Sequence, residues 1–310
     1  MKIEDIEAFV AVVRSQSLSR AAHELGLTQP ILTRRVQGFE SELGAELFDR
    51  QTKPLRPTAL GQRLYEPCRN VLQSMDTVRE LAASDLPPSG GLRLGLTQGL
   101  GELTLMPLLA DLRSHWPGLA PQVATGWGGP LIEKVALDAL DAAVVFQARG
   151  KPLPRSVEGR VLQKTRLVVL GRAGDWSRRS YRLADCSEAG WVLNPDGCGF
   201  RAGLQRALAE KGLPLRLRLD TYSRDLQLQA VEQGVGLGLL PLPLFERSGF
   251  AGRLDIVPVA DFKPAVDLWL VHGKEPGRLQ APVEQFAASV AGLLKTIAPP
   301  APAPAPATGA

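Results

Sequence analysis

Side chains that can hydrogen-bond to base edges are concentrated in the stretch TQPILTRRVQ, which begins at Thr28. A Gln29 amide can pair with adenine at two atoms and an Arg34 guanidinium with guanine, each pair giving ~1 to 3 kcal/mol of base discrimination. Thr33 is a third polar residue of suitable type. Thr28 is a favourable N-cap, and Pro30 fits a first helical turn, where backbone N–H groups have no intrahelical partner. The chemistry suggested is hydrogen bonding from the first turns of a helix.

Apolar residues in the same region repeat with the period of an α-helix. Leu32, Val36, Phe39 and Leu43 recur at i, i+4, i+7 and i+11, which at ~100° per residue aligns them on one face that is expected to be buried. The opposite face carries Pro30, Thr33, Arg34 and Gln37, with Gln29 exposed at the helix start. Taken alone, such a charged face is better explained by ordinary solvation of a surface helix.

The flanking segments favour DNA binding over simple solvation. Residues 18–25 predict a short helix with small Ala21 and Ala22, and the glycine turn that follows is typical of a helix-turn-helix. After the second helix, a proline-containing loop is expected to form a wing that contacts phosphates. The cations of this loop are Arg50, Lys53 and Arg56.

Net charge gives no support for DNA binding by itself. The chain has 310 residues and a formal net charge of +4, but residues 1–58 hold eight basic and eight acidic side chains. The excess positive charge therefore lies in the remainder. Only the placement of cations within the N-terminal segment supports the DNA interpretation.

Residues 59–83 predict one long amphipathic helix, which Pro67 is expected to kink. Its apolar positions are Leu60, Leu64, Val71, Leu72, Met75, Val78 and Leu81. Because so small a domain offers this helix little core, we expect it to pack on a symmetry mate; the alternative is a surface helix of a monomer. The stretch SDLPPSGG, residues 84–91, predicts a flexible hinge.

Beyond this hinge, short apolar strands alternate with helices, which predicts parallel α/β sheets. The predicted strands span residues 92–97, 122–127, 141–146, 166–171, 191–195, 215–220, 236–241 and 267–273. Predicted helices between them include 103–116 and 201–212.

Polar residues at the ends of these strands are candidates for ligand binding. In open α/β sheets a ligand lies at the carboxyl ends of the strands, where helix N-termini offer free N–H groups to anions. The candidate set is Thr97, Gln98, Gly99, Thr125, Gly126, Phe146, Asn194, Cys198, Arg201 and Tyr222. Each residue taken singly is more often an ordinary loop or cap residue. As a set they predict a site for a small organic effector that is polar or anionic.

The stretch from Phe9 to Arg50, FVAVVRSQSLSRAAHELGLTQPILTRRVQGFESELGAELFDR, resembles the N-terminal domain of the LysR-type transcriptional regulators. PTALGQRLY, residues 57–65, is similar to the family's entry into its linker helix, and GGLRLGLT, LDAAVV and QAVEQGVGLGLLP are similar to its effector domain. The resemblance implies a winged helix-turn-helix followed by a linker helix and a two-lobed, periplasmic-binding-protein-like α/β effector domain. Ile31 and Leu32 are bulkier than the common alanine-valine pair, so we expect tighter core contacts that do not reach the groove face.

The resemblance also assigns roles and boundaries. Recognition is assigned to Thr28, Gln29, Pro30, Thr33 and Arg34, with Gln37 on the same face and the wing cations on the phosphates. The expected divisions are 1–58 for DNA binding, 59–90 for the dimerising linker helix and hinge, 91–297 for the effector domain and 298–310 for a disordered Pro/Ala tail. The expected partners are an operator in double-stranded DNA, a small effector and further copies of the chain in a homodimer or homotetramer.

Composition and motifs narrow the remaining function classes. The chain is 45% hydrophobic and 22% charged with three scattered cysteines, as in a globular protein with reduced thiols, and no signal peptide or membrane span is apparent, so a cytoplasmic location is expected. Its three histidines lack metal-ligand spacing, no cofactor motif or nucleophile motif is present, and no catalytic role is assigned. The open alternatives are a small-molecule receptor without DNA binding, an enzyme on the same scaffold, and a redox sensor using Cys198.

Overall fold

The computed structural model describes residues 2–49, 51–52, 54–82, 87–195, 197–274 and 276–296. Its contacts divide the chain into two units, Met1–Leu86 and Pro87–Ala310. Among the described residues, no helix is both long enough and apolar enough to cross a membrane. Two predicted wing cations, Arg50 and Lys53, and the tail from 298 to 310 lie outside the described residues.

The described residues of the first unit form four helices and a small hairpin. In chain order these are α1 (Ile3–Ser15), α2 (Leu18–Glu24), α3 (Gln29–Leu43), the antiparallel strands β1 (Phe48–Asp49) and β2 (Arg56–Pro57), and α4 (Ala59–Ala82). The core is built around Phe9, whose ring lies 5.5 Å from that of Phe39 and 5.6 Å from that of Phe48, centroid to centroid. Tyr65 and Cys68 of α4 belong to the same buried cluster, so α4 begins as part of this core.

Local signals account for the limits of α2 and α3. Ser17 caps α2 by accepting a hydrogen bond from the backbone N–H of Arg20. Gly26, shortly after the end of α2, and Gly44, directly after the end of α3, have positive φ angles of 64° and 63°. This conformation costs glycine little. Thr28 occupies the N-cap position of α3, but its side chain makes no capping hydrogen bond.

The buried face of α3 differs from the predicted one in its last turn. Leu32, Val36 and Phe39 are buried as expected, but Leu43 is 40% exposed and Glu40 is only 7% exposed. Helix α3 ends at Leu43, and the Glu40 carboxylate turns inward to accept hydrogen bonds from the chain that follows. Ile31, expected to tighten the core, is 44% exposed.

The second unit alternates strands and helices. Its first part contains β3 (Gly90–Thr97), α5 (Gln98–His115), β4 (Leu119–Gly126), α6 (Gly128–Ala136), β5 (Ala142–Ala148) and β6 (Val157–Arg172). Its second part contains α7 (Leu183–Ser187), β7 (Trp191–Leu193), α8 (Gly199–Ala209), β8 (Leu217–Asp220), α9 (Arg224–Glu232), β9 (Gly238–Pro241), α10 (Leu242–Glu246) and β10 (Leu254–Val257). Strand β11 (Ala265–Gly273), a 3₁₀ turn at Gly277–Leu279 and α11 (Gln280–Thr296) complete it. Strand β10 was not predicted.

The sheets are mixed, which corrects the expectation of parallel sheets. Strand β3 pairs in parallel with β4 and β5, and β7 pairs in parallel with β8. Strand β11 lies antiparallel between β5 and β6, because the chain returns to the first part of the unit from the second. The 16-residue β6 pairs with β11 along its first half and with β9 and β10 along its second half.

Two lobes follow from this pairing. We call β3–β5 with α5 and α6 lobe 1, and β7–β10 with α7–α10 lobe 2. Strands β6 and β11 run between them. Four helices have first residues that line one shared cavity. They are α5 and α6 of lobe 1 and α8 and α9 of lobe 2.

Candidate nucleic-acid interface and ligand cavity

Helix α3 presents a polar face to solvent. Gln29, Pro30, Arg34 and Gln37 are exposed, as predicted, and so is Thr28 just before the helix. Thr33 is half-buried, and its hydroxyl donates to the Gln29 backbone carbonyl at 2.9 Å. The Thr33 hydroxyl hydrogen is therefore used within the helix, which leaves its oxygen lone pairs and methyl group to contact a partner.

Exposed Ile31 lies beside this polar face, since it precedes the exposed Arg34 by three residues on α3. The sequence interpretation expected Ile31 to tighten core contacts, because the Ile31-Leu32 pair is bulkier than the alanine-valine pair common in the family. Helix geometry turns successive side chains by ~100°, so a residue next to a buried one can lie outside the core. Ile31 adds an apolar group to a surface otherwise made of hydrogen-bonding groups.

The hairpin after α3 is anchored to that helix. Glu40 Oε1 accepts hydrogen bonds from the backbone N–H groups of Leu47, at 2.8 Å, and Phe48, at 3.3 Å. The Thr58 hydroxyl donates to the Glu46 carbonyl at 3.0 Å and accepts from the Gly61 N–H at 3.1 Å. These bonds position the hairpin relative to α3 and α4. Arg56 on β2 is exposed, as a wing cation must be to reach phosphate.

The apolar residues of α4 divide between two environments. Leu60, Leu64 and Leu72 pack against the core of the first unit, which corrects the expectation that Leu64 and Leu72 face a symmetry mate. Val71 is 43% exposed and Val78 is 67% exposed. With Asn70, Ser74 and Met75 they line a shallow groove on the surface of α4, which we call the α4 groove.

A cavity of about 600 Å³ lies between the two lobes. Seven of the ten predicted effector residues line it: Thr97, Gln98, Gly99, Phe146, Asn194, Cys198 and Tyr222. They come from strand ends and helix starts on both lobes, as the strand-end argument expected. A volume of this size accommodates a small organic molecule.

Three predicted effector residues do not line the cavity. Thr125 packs toward α5, where a Cβ built on Gly101 would lie 2.6 Å from its methyl carbon. Gly126 lies at the same end of β4, and the following residue, Trp127, reaches the cavity instead. Arg201 lies next to lobe 2 backbone, its Nη1 donating to the Asn194 carbonyl at 3.4 Å and lying 3.8 Å from Asp220 Oδ2.

The charged side chains on the cavity lining are all cationic. They are Arg149, Lys151, Arg206 and Arg224, and no carboxylate appears among the described lining residues. Arg149 is held by Asp267, with Nη2 2.6 Å from Oδ1, and this hydrogen-bonded guanidinium lowers the pKa of the Asp267 carboxyl. Four cations and four helix N-termini around one cavity favour an anionic ligand.

Aromatic and aliphatic side chains make up much of the remaining wall. Trp127 of lobe 1 stacks on Tyr222 of lobe 2, with centroids 6.0 Å apart and 17° between the ring planes. Phe146 and Phe200 also line the cavity, together with Leu239, Leu240 and Leu244. Sequence reasoning did not select Trp127 or the four cations. The one local signal was that Trp127 is the last residue of the predicted strand 122–127, next to the selected Thr125 and Gly126.

The proposed redox role of Cys198 receives no support from its surroundings. Cys198 is 5% exposed. Burial raises the pKa of its thiol, and the backbone N–H groups of Arg201 and Phe200 offset this only in part. Cys68 and Cys186 are also buried free thiols, and burial raises the pKa of Cys186 to about 12. Reactive cysteines need an accessible thiolate, which none of these environments favours.

Comparison with known proteins identifies two family matches along the chain. Residues 3–62 match the bacterial regulatory helix-turn-helix protein, lysR family, and residues 86–294 match the LysR substrate binding domain. Together they span both units of the structure.

Curated relatives include BbuR of Bordetella bronchiseptica, 28% identical over 278 residues that cover 89% of this chain and 85% of the relative. CzcR of Bacillus anthracis is 24% identical over 254 residues, covering 82% and 85%. Both are described as HTH-type transcriptional regulators. Among solved structures, full-length OxyR from Pseudomonas aeruginosa has a TM-score of 0.71 at 21% identity, covering 94% of each chain. At that identity the likeness concerns the fold.

Proposed function

The chain belongs to the LysR family of helix-turn-helix transcriptional regulators, and from that premise we propose which surfaces read DNA, bind the effector and join the subunits. It is a DNA-binding regulator with an effector-binding domain of two α/β lobes. The proposal concerns the residues of each site, the chemistry of the effector and the assembly. We further propose that it acts in the cytoplasm, where its operator DNA is accessible.

The DNA-reading surface is the exposed face of α3, with the hairpin as the wing. The single observation that carries this assignment is the exposure of Gln29, Pro30, Arg34 and Gln37 along one side of a helix whose other side is buried. Arg34 lies at the centre of that exposed face. A helix in the major groove places such side chains against base edges while flanking cations contact phosphate.

This assignment predicts different effects for two arginine substitutions. Arg34→Ala should cost ~1 to 3 kcal/mol on the preferred operator and relax base preference at one position. Arg56→Ala, in the wing, should weaken binding to all duplexes alike, because phosphate contacts carry no base information.

The measurement is fluorescence anisotropy on an operator found by in vitro selection from random duplexes, with a scrambled duplex of the same length for comparison. Equal losses on both duplexes for Arg34→Ala would contradict the assignment of α3 to base recognition.

The effector site is the cavity between the lobes. Thr97 and Gln98 from lobe 1 and Asn194 and Tyr222 from lobe 2 supply hydrogen-bonding groups to it, and its cations favour a small anionic or polar organic molecule. A ligand that contacts both lobes can bind their different arrangements with different affinity. Such differences typically couple two sites by ~1 to 3 kcal/mol, enough to change occupancy of an operator.

We propose that the α4 groove is part of a dimer interface. Packing against a second copy of the chain would remove its exposed apolar side chains from water. Val78→Glu places a charge in the groove and should shift the protein toward a lower oligomeric state. Light scattering at micromolar concentration measures this, with Ser74→Thr as a control of similar location and little change in polarity. A monomeric wild-type protein under these conditions would refute the interface.

A further inference from the structure

Arg224 has an unusual environment for a cavity residue. It begins α9 in lobe 2 and is 8% exposed. Its Nε and Nη2 donate to Asp225 Oδ1 at 2.9 and 2.7 Å. Its Nη1 is buried and makes no hydrogen bond within the described part of the chain, although Arg224 lines the cavity. Buried polar groups are nearly always paired, and an unpaired donor on a charged group is costly.

Lobe 1 provides a second unpaired polar atom, on a residue that lines the same cavity. Thr97 is 9% exposed, and its Oγ1 also makes no hydrogen bond within the described residues. Thr97 lies at the end of β3, on the opposite lobe from Arg224. A ligand in the cavity that supplies acceptor oxygens would satisfy both groups, one from each lobe.

Arg224 is also connected across the cleft by charge. Its Nε lies 3.7 Å from Glu102 Oε2 on α5, and its backbone N–H donates to Glu102 Oε1 at 3.5 Å. Glu102 does not line the cavity. Among the described residues of lobe 1, the Glu102 carboxylate is the one that lies close to this guanidinium. It lies near Nε, so Nη1 remains unpaired.

We propose that Arg224 binds a carboxylate of the effector through Nη1, with Thr97 as a second donor, and that this pair distinguishes anionic effectors from neutral ones. The inference rests on the proposed effector role of the cavity. A guanidinium suits a carboxylate because it presents planar N–H donors and keeps its charge. The aromatic and aliphatic wall formed by Trp127, Phe146 and Leu240 then contacts an apolar body attached to that carboxylate.

The charge arrangement predicts opposite effects for two neutralising substitutions. Arg224→Gln removes the cation and its unpaired donor and should weaken binding of a carboxylate ligand roughly ten- to hundredfold, the range for a hydrogen bond to a charged group. Glu102→Gln removes a carboxylate adjacent to Arg224 and should strengthen binding of the same ligand severalfold. Arg224→Lys retains charge without the planar fork and should fall between wild type and Arg224→Gln.

The test uses the full chain and two matched pairs of probes: benzoate with benzamide, and hexanoate with hexanamide. Within each pair the shape is nearly constant and only the charge changes. Titration calorimetry at millimolar ligand should show wild type binding each carboxylate at least tenfold tighter than its amide, and Arg224→Gln should abolish that preference. Arg113→Gln, an exposed arginine of α5 away from the cavity lining, changes net charge equally and serves as the control.

Each outcome separates this inference from the proposed function. A carboxylate preference that Arg224→Gln leaves intact overturns the role of Arg224, as does failure of both carboxylates to bind wild type. Ala202→Phe fills part of the cavity, so it should reduce binding of every probe. If amides and carboxylates bind wild type equally and both lose affinity in Ala202→Phe, the anion selectivity is refuted. The cavity would still be the effector site. Probe binding unaffected by Ala202→Phe would refute the cavity itself.

Discussion

Glu40 is expected to couple the recognition helix to the wing, and its replacement tests how the first unit positions its DNA-binding parts. In Glu40→Ala the N–H groups of Leu47 and Phe48 lose the carboxylate that accepts from them at 2.8 and 3.3 Å. The shorter bond, to a charged acceptor, is worth about 1.5 to 3 kcal/mol and the longer one less, so the expected loss is roughly 2 to 4 kcal/mol. Glu40→Gln retains a carbonyl acceptor without the charge and should lose about half as much.

Hydrogen–deuterium exchange of the intact protein measures this loss where it occurs. The N–H groups of Leu47 and Phe48 should lose protection by about thirty- to several-hundredfold in Glu40→Ala, since each ~1.4 kcal/mol is a factor of ten in an opening equilibrium. Peptides from the second unit are the internal reference. Glu4→Ala removes an exposed carboxylate from α1 and should change wing protection little. Equal protection in the Glu40 and Glu4 variants would refute the anchoring role.

Two further predictions concern packing and charge. Gly61→Ala should lower the free energy of unfolding by roughly 1 to 3 kcal/mol and weaken operator binding, because a Cβ at Gly61 would lie 2.3 Å from the Leu47 carbonyl oxygen and displace the wing; anisotropy and exchange data matching wild type would contradict this. The Arg149 guanidinium lowers the pKa of Asp267, so this pair stabilises the fold above the ordinary carboxyl pKa, and that stability is lost as the pH falls through the lowered value. Asp267→Asn should therefore lower thermal stability at neutral pH and flatten its decline in acid, and an unchanged pH profile would argue against the pair.

Local sequence signals were sufficient for α2, α3 and α4 of the first unit and for most strands of the second, whereas α1 was not predicted as an element. Pro30 in the first turn of α3, Gly44 after its last residue and the spacing of Leu32, Val36 and Phe39 act over a few residues, so they can be interpreted without tertiary contacts. The predicted strands matched β3, β4, β5 and β11 for the same reason. The composition of the strand ends likewise predicted seven residues that line the cavity.

Tertiary structure decided which side chains meet across longer separations. Glu40 is buried because the chain returns near α3 at Leu47 and Phe48, and exposed Leu43 shows that apolar spacing alone does not determine burial. The mixed pairing of the sheet depends on the direction in which β11 re-enters, which no local pattern encodes. Thr125 turns toward Gly101 for a similar reason, since packing of β4 on α5 sets the direction of its side chain.

The charged residues of the cavity show most clearly what the sequence could predict and what only the tertiary structure decided. From the sequence, Arg224 is one arginine among many, placed beside an acidic neighbour after a capping serine. In the fold it lies opposite Glu102, more than a hundred residues earlier in the chain. Its Nη1 is buried without a hydrogen-bond partner in the described structure, and the residue lines the cavity. Hydrogen-bond satisfaction and desolvation are properties of the assembled surroundings of a group. The sequence alone therefore predicted an effector cleft with polar strand ends, whereas only the packing of two lobes selected the arginine expected to bind the effector's charge.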